Sequence, residues 1–298
     1  MDIFTWLAAA AIVVTIFLGF HKRFSYVQVL IIGMLVIFFL NFMSDMGSSG
    51  SDYLHDFGVE PRYLTTGTEP WTIVTHMFVH ASFAHIIGNV LFLFLIGVQL
   101  EYRVGKNRTA LLFYISGLGG MIAEAFILGL NSNIVMVGAS GAIAGLIGAM
   151  LWLYPRDKIP MFIGPILLPN VPVILGAGVF LATQLVLDLA ASNGGAPGGI
   201  AYAAHLGGFV VGMLAAAALP KPAARTEDLV DYSALEPLAT TKQLKDDLER
   251  IKTETEPAVR KVWLEHFVKN AKCPQCGGRL ELKGGKVRSD CGFEAKLK

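Results

Sequence analysis

Charge is what this sequence has least of. Lys, Arg, Asp and Glu make up only 16% of its 298 residues, where soluble domains carry about a quarter. That scarcity excludes a chain solvated mainly by water. A hydrophobic fraction of 54% and a mean hydropathy of +0.56 point to lipid as the solvent for much of it. An excess of either sign is missing as well. The net charge is +1, so no global field exists to gather nucleic acid. Cysteine is absent until Cys273, Cys276 and Cys291 near the C-terminus. That excludes a disulfide framework across the protein and suggests a local metal site instead. There is no low-complexity tract and no convincing internal repeat.

A helix needs about 20 apolar residues to cross the hydrocarbon core of a bilayer. The candidate spans are 3–20, 26–42, 86–100, 110–130, 138–154, 171–190 and 201–219. The third is short, with His85 and Glu101 at its ends. Basic clusters follow the first, third, fifth and seventh spans: His21-Lys22-Arg23, then Arg103, Lys106 and Arg108, then Arg156 and Lys158, then Lys221 and Arg225. If the spans alternate, all four clusters share one side, and positive charge marks that side as cytoplasmic. The N-terminus and the loops 43–85, 131–137 and 192–200 then face outside, most simply in the plasma membrane. The first span has only Met1-Asp2 before it, with no basic residue, and so reads as an N-out anchor rather than a cleaved signal peptide.

Ionisable and polar side chains at membrane depth are costly, and each needs a reason. His76, His80, His85 and Asn89 cluster at the start of the third span. Ser140 opens the fifth in Gly138-Ala139-Ser140-Gly141, and His205 lies in the first turn of the seventh. These three spans run the same way, so their polar groups fall within a few helical turns of one surface. A serine hydroxyl becomes a nucleophile when a base takes its proton, and histidine is the usual base near neutrality. Taken alone, Gly138, Gly141, Gly145 and Gly148 read rather as a small-residue packing face, and both readings can hold together. His85 and Asn89, four apart on one helix face, offer N–H donors for an oxyanion; a structural hydrogen-bonded pair is the competing reading. His76 and His80 have the spacing of a zinc pair but lack the glutamate of H-E-x-x-H. Gln184 and Asp188, on the sixth span, suit either a cavity wall or a structural hydrogen bond. Glu124, in the fourth, has no assigned role.

The set His80-x4-His85-x3-Asn89, Glu101-Tyr102-Arg103-Val104-Gly105, Gly138-Ala139-Ser140-Gly141 and Ala204-His205-Leu206-Gly207-Gly208, in this order, resembles the rhomboid intramembrane serine proteases across roughly residues 26–219. The resemblance implies a six-helix bundle formed by spans two to seven, with span one as an addition. It implies a Ser140–His205 dyad without an acidic third member and without a catalytic cofactor, acting on transmembrane protein substrates near the outer face of the bilayer. His85, Asn89 and the Ser140 N–H would hold the oxyanion. His80, Gly138 and Gly141 would support the site, and Gly208 would let the seventh helix pack on the fifth. Glu101 and Arg103 would brace loops at the cytoplasmic end. Two features depart from the family pattern. An aromatic residue one turn after the serine, which stacks on the catalytic histidine in many relatives, is Ala144 here. The Trp-Arg pair of the first outer loop is not evident, since Arg62 and Trp71 are apart.

The expected architecture is therefore an all-α polytopic membrane protein with a small cytoplasmic tail. Its parts are 1–22 (extra span), 23–219 (bundle), 220–270 (polar linker and charged helix interrupted near Pro257) and 271–298 (a zinc-ribbon-like module). Cys273-Pro274-Gln275-Cys276-Gly277 resembles one ribbon knuckle. In the second, Arg288 stands where a partner for Cys291 belongs, so Cys273, Cys276 and Cys291 are one ligand short of a closed zinc site. Asp290 or His266 are candidate fourth ligands; a degraded ribbon held by packing is the alternative. An inactive relative that binds membrane proteins is the runner-up function.

Overall fold

Apolar runs in lipid must pair their own backbone N–H and C=O groups, which leaves helices and closed barrels as the spanning structures. The computed structural model describes residues 3–47, 53–163, 166–192, 202–220, 231–254 and 257–297, and here the runs are helices. They are α1 (Ile3–Phe20) and α2 (Tyr26–Gly47). Short helices α3 (Tyr53–Phe57), α4 (Pro61–Thr66) and α5 (Thr72–Thr75) follow, then a 3-10 turn, His76–Phe78. The third span comprises α6 (Phe83–Phe92), a π-helical turn (Leu93–Gly97) and α7 (Val98–Val104). Next come α8 (Lys106–Leu128), α9 (Ser140–Leu153), α10 (Val173–Ser192) and α11 (Tyr202–Ala218). Among the described residues, four helical stretches are long and apolar enough to cross a membrane, namely α1, α2, Phe83–Val104 and α8, and three shorter apolar helices lie in α9, α10 and α11. Their outward faces are apolar: Phe17 is 74% exposed and Ile127 75%. In water that area would cost about 25 cal/mol per Å²; in lipid it costs nothing.

The third span is longer than the sequence suggests because both ends are specified by polar and glycine chemistry outside the apolar run. Ser82 caps its start, its Oγ accepting from the His85 N–H at 3.2 Å. Gly105, at φ +82°, ends it and opens α8. The sixth keeps its length but starts and ends two residues later, at Val173 and Ser192. Residues 171 and 172 belong to a hairpin of β1 (Lys158–Ile163) and β2 (Ile166–Pro172), antiparallel, with a register shift between Ile159 and Met161. Pro160 sits in that irregularity, where a missing N–H does least harm.

Helix α9 is the centre of the bundle. Every residue from Gly141 to Met150 is buried, and α8 and α11 pack on it. Glycine makes the α9–α11 contact. A Cβ on Gly208 would strike the Gly141 carbonyl, and one on Gly212 the Gly145 backbone. Small residues allow such approach in membrane helices, where dispersion rather than the hydrophobic effect holds helices together.

Far from Ser140 along the bundle, Glu101 and Arg103 do not bond each other. The Glu101 carboxylate accepts from Ser25 Oγ (2.8 Å) and from the backbone N–H of Tyr26 (2.9 Å) and Val27 (2.8 Å), so an anion meets the positive end of α2. Arg103 Nε donates to Asp157 at 2.8 Å and Nη1 to the Gln99 carbonyl at 2.9 Å.

The segment before α9 is tied to the first loop by Val59 and Met136, which exchange backbone hydrogen bonds of 3.0 and 2.9 Å. Glu60 anchors the strap. Tyr63 Oη donates to it at 2.9 Å, His55 Nδ1 lies at 3.0 Å and Arg62 forms an ion pair. Burial pushes the Glu60 carboxyl up, but Arg62, Tyr63 and His55 outweigh it and hold the carboxyl below its ordinary value. A depressed carboxylate contributes stability that is full above its unfolded value, about 4.3, and lost as pH falls through the folded one. Hydrogen exchange of residues 53–66 should therefore accelerate in acid more in the parent than in Glu60→Gln. Equal acid sensitivity would contradict this role.

The C-terminal unit, Ala223–Lys298, has its own core around Leu235, Leu248, Ile251, Phe267 and Val287. Thr241 caps α12 (Lys242–Thr253), and Pro257 opens α13 (Pro257–Asn270), so the break falls where proline suits a first helical position. A sheet ordered β3 (Glu281–Lys283), β4 (Lys286–Arg288), β5 (Glu294–Lys296) follows.

Candidate active site

Ser140, His205, His85 and Asn89 line one cavity of about 750 Å³ between α6, α9 and α10, with His205 contributed by α11. Each arrives there for a local reason. Ser140 is the first residue of α9, and Ile143 is the first whose N–H finds a carbonyl, that of Ala139 at 2.9 Å. The N–H groups of the preceding turn are the ones a helix leaves unpaired. Gly138 has φ +113° and donates its N–H to the His76 carbonyl at 2.8 Å. The His85 ring covers it so closely that a Cβ there would meet Nε2 at 2.5 Å. Glycine is thus required twice at this position, by backbone conformation and by the ring. Gly138→Ala should displace His85 and cut any activity at least about tenfold, read as a rate in reconstituted protein.

Asn89 Nδ2 donates to the His85 carbonyl at 2.9 Å, leaving its second N–H for another acceptor. His80 is fully buried and packs edge-on against His85, with ring centroids 5.0 Å apart. His76 Nδ1 is bound to the Thr72 carbonyl at 2.9 Å. Among the described residues, the cysteines are the one group of three or more metal-ligating side chains.

His205 sits in the first turn of α11, and the Glu124 carboxylate accepts from the Ala204 N–H next to it at 3.0 Å. Glu124, unassigned from sequence, is therefore the acceptor that pairs a free N–H at the start of α11. Ala144 lines the cavity without a ring. What surrounds His205 instead is Phe180 and Tyr202, each with centroids 6.5 Å away, and Gln184, whose Oε1 lies 2.7 Å from His205 Nδ1. The side chain of Asp188 lies outside the described residues. Ser140 Oγ has no hydrogen-bond partner among them; such bonds often tighten only with substrate in place. In the first loop, Arg62 pairs with Glu60 and Trp71 Nε1 donates to the Asp56 carbonyl at 3.1 Å, so these two side chains serve different contacts.

In the C-terminal unit, the Sγ atoms of Cys273, Cys276 and Cys291 lie within 4.8 Å of one another, and Cys273 and Cys291 are 3.5 Å apart. Thiolates sharing a zinc at about 2.3 Å each stand roughly 3.8 Å apart, so the set fits one ion. His266 faces Asp247 at 3.2 Å and does not join it, nor does Asp290. Burial pushes the Cys273 thiol up, but the N–H groups of Cys276 and Gln275, with Ser289 and Cys291, bring it down to about 6.

A bundle of apolar helices around a cavity that gathers a few polar side chains defines a polytopic helical membrane protein. The family model described as the Rhomboid domain matches residues 67–222, just over half of the chain, and the chain belongs to the rhomboid family. It is 30% identical over 195 residues to the rhomboid protease GluP of Bacillus subtilis, covering 65% of this chain and 35% of that one. It is 34% identical over 163 residues to RHOMBOID-like protein 4 of Arabidopsis thaliana, covering 53% and 36%. An inactive RHOMBOID-like protein 8 of the same plant matches at 33% over 107 residues. The chain thus spans about a third of the length of the curated relatives it matches.

Proposed function

We propose that this chain is an intramembrane serine endopeptidase that cuts transmembrane helices of other proteins through Ser140 and His205. The observation that carries the reading is the convergence of Ser140, His205, His85 and Asn89 on one cavity in an otherwise apolar bundle. Ser140 Oγ attacks the scissile carbonyl as His205 Nε2 takes its proton. The Ser140 N–H, Asn89 and His85 hold the oxyanion. Collapse breaks the C–N bond, and His205 returns the proton to the leaving amine. Water then attacks the acyl-serine with His205 again as base, releasing the acid and restoring Ser140. No cofactor enters these steps. The substrate reaches the cavity laterally between α6 and α10, and must unwind locally to present a peptide bond, so helix-weakening residues near the cut are favoured. In this reading the Ser140 end faces outside and the tail lies in the cytoplasm of a plasma-membrane protein, an orientation that the basic clusters favour.

Purified protein in lipid vesicles with a helical reporter tests this. The parent should cleave, and Ser140→Ala and His205→Ala should not. Cleavage by all three would refute it, and cleavage by none across several reporters would favour an inactive membrane-protein-binding relative.

We further propose that Cys273, Cys276 and Cys291 hold zinc as a structural or docking module, the fourth position being open to water or a partner. The tail should bind about one zinc per chain and Cys291→Ser should weaken binding at least about tenfold, measured by competition with a chromogenic chelator. Equal affinity would contradict it.

A further inference from the structure

Histidine can act as a base only through the nitrogen that lacks a proton, and the partner of the other nitrogen decides which one that is. In this chain the partner is on α10. Gln184 is buried, and its Oε1 lies 2.7 Å from His205 Nδ1. An amide oxygen only accepts, so in this orientation the contact is satisfied by a proton on Nδ1, with the lone pair left on Nε2. The opposite amide orientation would donate to a bare Nδ1 and put the proton on Nε2.

We propose that Gln184 is a positioning residue for His205, fixing the Nδ1–H tautomer and the plane of the imidazole so that Nε2 is the base offered to Ser140. Three observations support it together. Ala144 leaves the ring of His205 without an aromatic platform on α9. Phe180, one turn before Gln184 on the same face of α10, lies 6.5 Å from the His205 ring and stacks on Phe209 at 6.1 Å. Tyr202 meets the ring edge-on at 90°. The orientation of His205 is thus supplied by α10 and by its own helix, with Gln184 as the only hydrogen-bonding partner that the structure gives its side chain among the described residues. A buried polar residue on an apolar helix requires such a partner, because an unpaired amide in hydrocarbon is expensive. One consequence is geometric: α10 also forms a wall of the cavity, so a movement of α10 away from α11 would unlock His205.

The proposal rests on the dyad reading, and its test separates the two. Protein labelled with ¹⁵N-histidine in lipid is compared by solid-state NMR, with His205 assigned by its loss in His205→Ala. The parent should show Nδ1 protonated and Nε2 bare. Gln184→Leu should populate the other tautomer, and Gln184→Glu, which keeps an acceptor at the same reach, should restore the first. In cleavage, Gln184→Leu should lower kcat about ten- to a hundredfold with KM within about twofold, and Gln184→Glu should recover most of it. Gln184→Met provides a second apolar variant of similar length should leucine disturb packing. An unchanged tautomer in both apolar variants, or kcat within about twofold of the parent, would overturn the proposal. Equal cleavage by the parent and Ser140→Ala would remove the dyad reading, and the spectrum would then decide Gln184 alone.

Discussion

Ser140→Ala, His205→Ala and the double variant should lower cleavage by nearly the same factor, about 10³ or more. The expectation follows from the chemistry of a two-member unit. Without its base the Ser140 hydroxyl holds its proton and is a weak nucleophile; without the hydroxyl the base has nothing to activate. Removing both therefore costs little beyond removing one. What survives is whatever the unpaired N–H groups at the start of α9 contribute by holding an oxyanion. Single-turnover rates on a helical reporter would measure it. Additive losses, in which the double variant is slower by the product of the single factors, would mean the two residues act separately.

Gly208→Val should abolish cleavage and destabilise the bundle together. A Cβ at this position runs into the carbonyl of Gly141, which is backbone and cannot rotate away as a side chain would. Helices α9 and α11 must then separate, at a cost of about 1–3 kcal/mol or more for overpacking. The same separation carries His205 away from Ser140. A second glycine provides the control: an added Cβ on Gly178, exposed on α10, meets nothing within 4 Å. Gly178→Ala should leave cleavage unchanged and stability equal or slightly raised, since alanine favours helix. Thermal unfolding and cleavage rates measured on both variants decide this, and a Gly208→Val protein with parental stability would contradict it.

Spans were legible because hydropathy is a local, summed property; 3–20 agrees with the helix end to end. Ser140, His85, Asn89 and His205 were legible because polar groups stand out against apolar neighbours, and their shared depth followed from alternation of the spans. The bounds of the third span were not legible, because Ser82 and Gly105 act outside the hydrophobic run. The β1–β2 hairpin escaped notice because it is as apolar as a span and rich in proline. Glu124 and Gln184 stood out as costly polar residues, but their partners, the Ala204 N–H and His205, lie 80 and 21 residues away. No local pattern encodes such pairings. Ala144 had pointed to a missing support for His205, and the support comes from a different helix. His266 and Asp290, candidates for a fourth zinc ligand, lie outside the cysteine cluster, and His266 on α13 faces Asp247.

The central claim is that Ser140 is a nucleophile activated by His205 within the membrane. The most direct test is reaction of the reconstituted protein with a fluorophosphonate, followed by peptide mass spectrometry. The account predicts a single adduct on Ser140 that forms in the parent and is lost in His205→Ala. An adduct on another residue, or one on Ser140 that forms equally fast without His205, would contradict it.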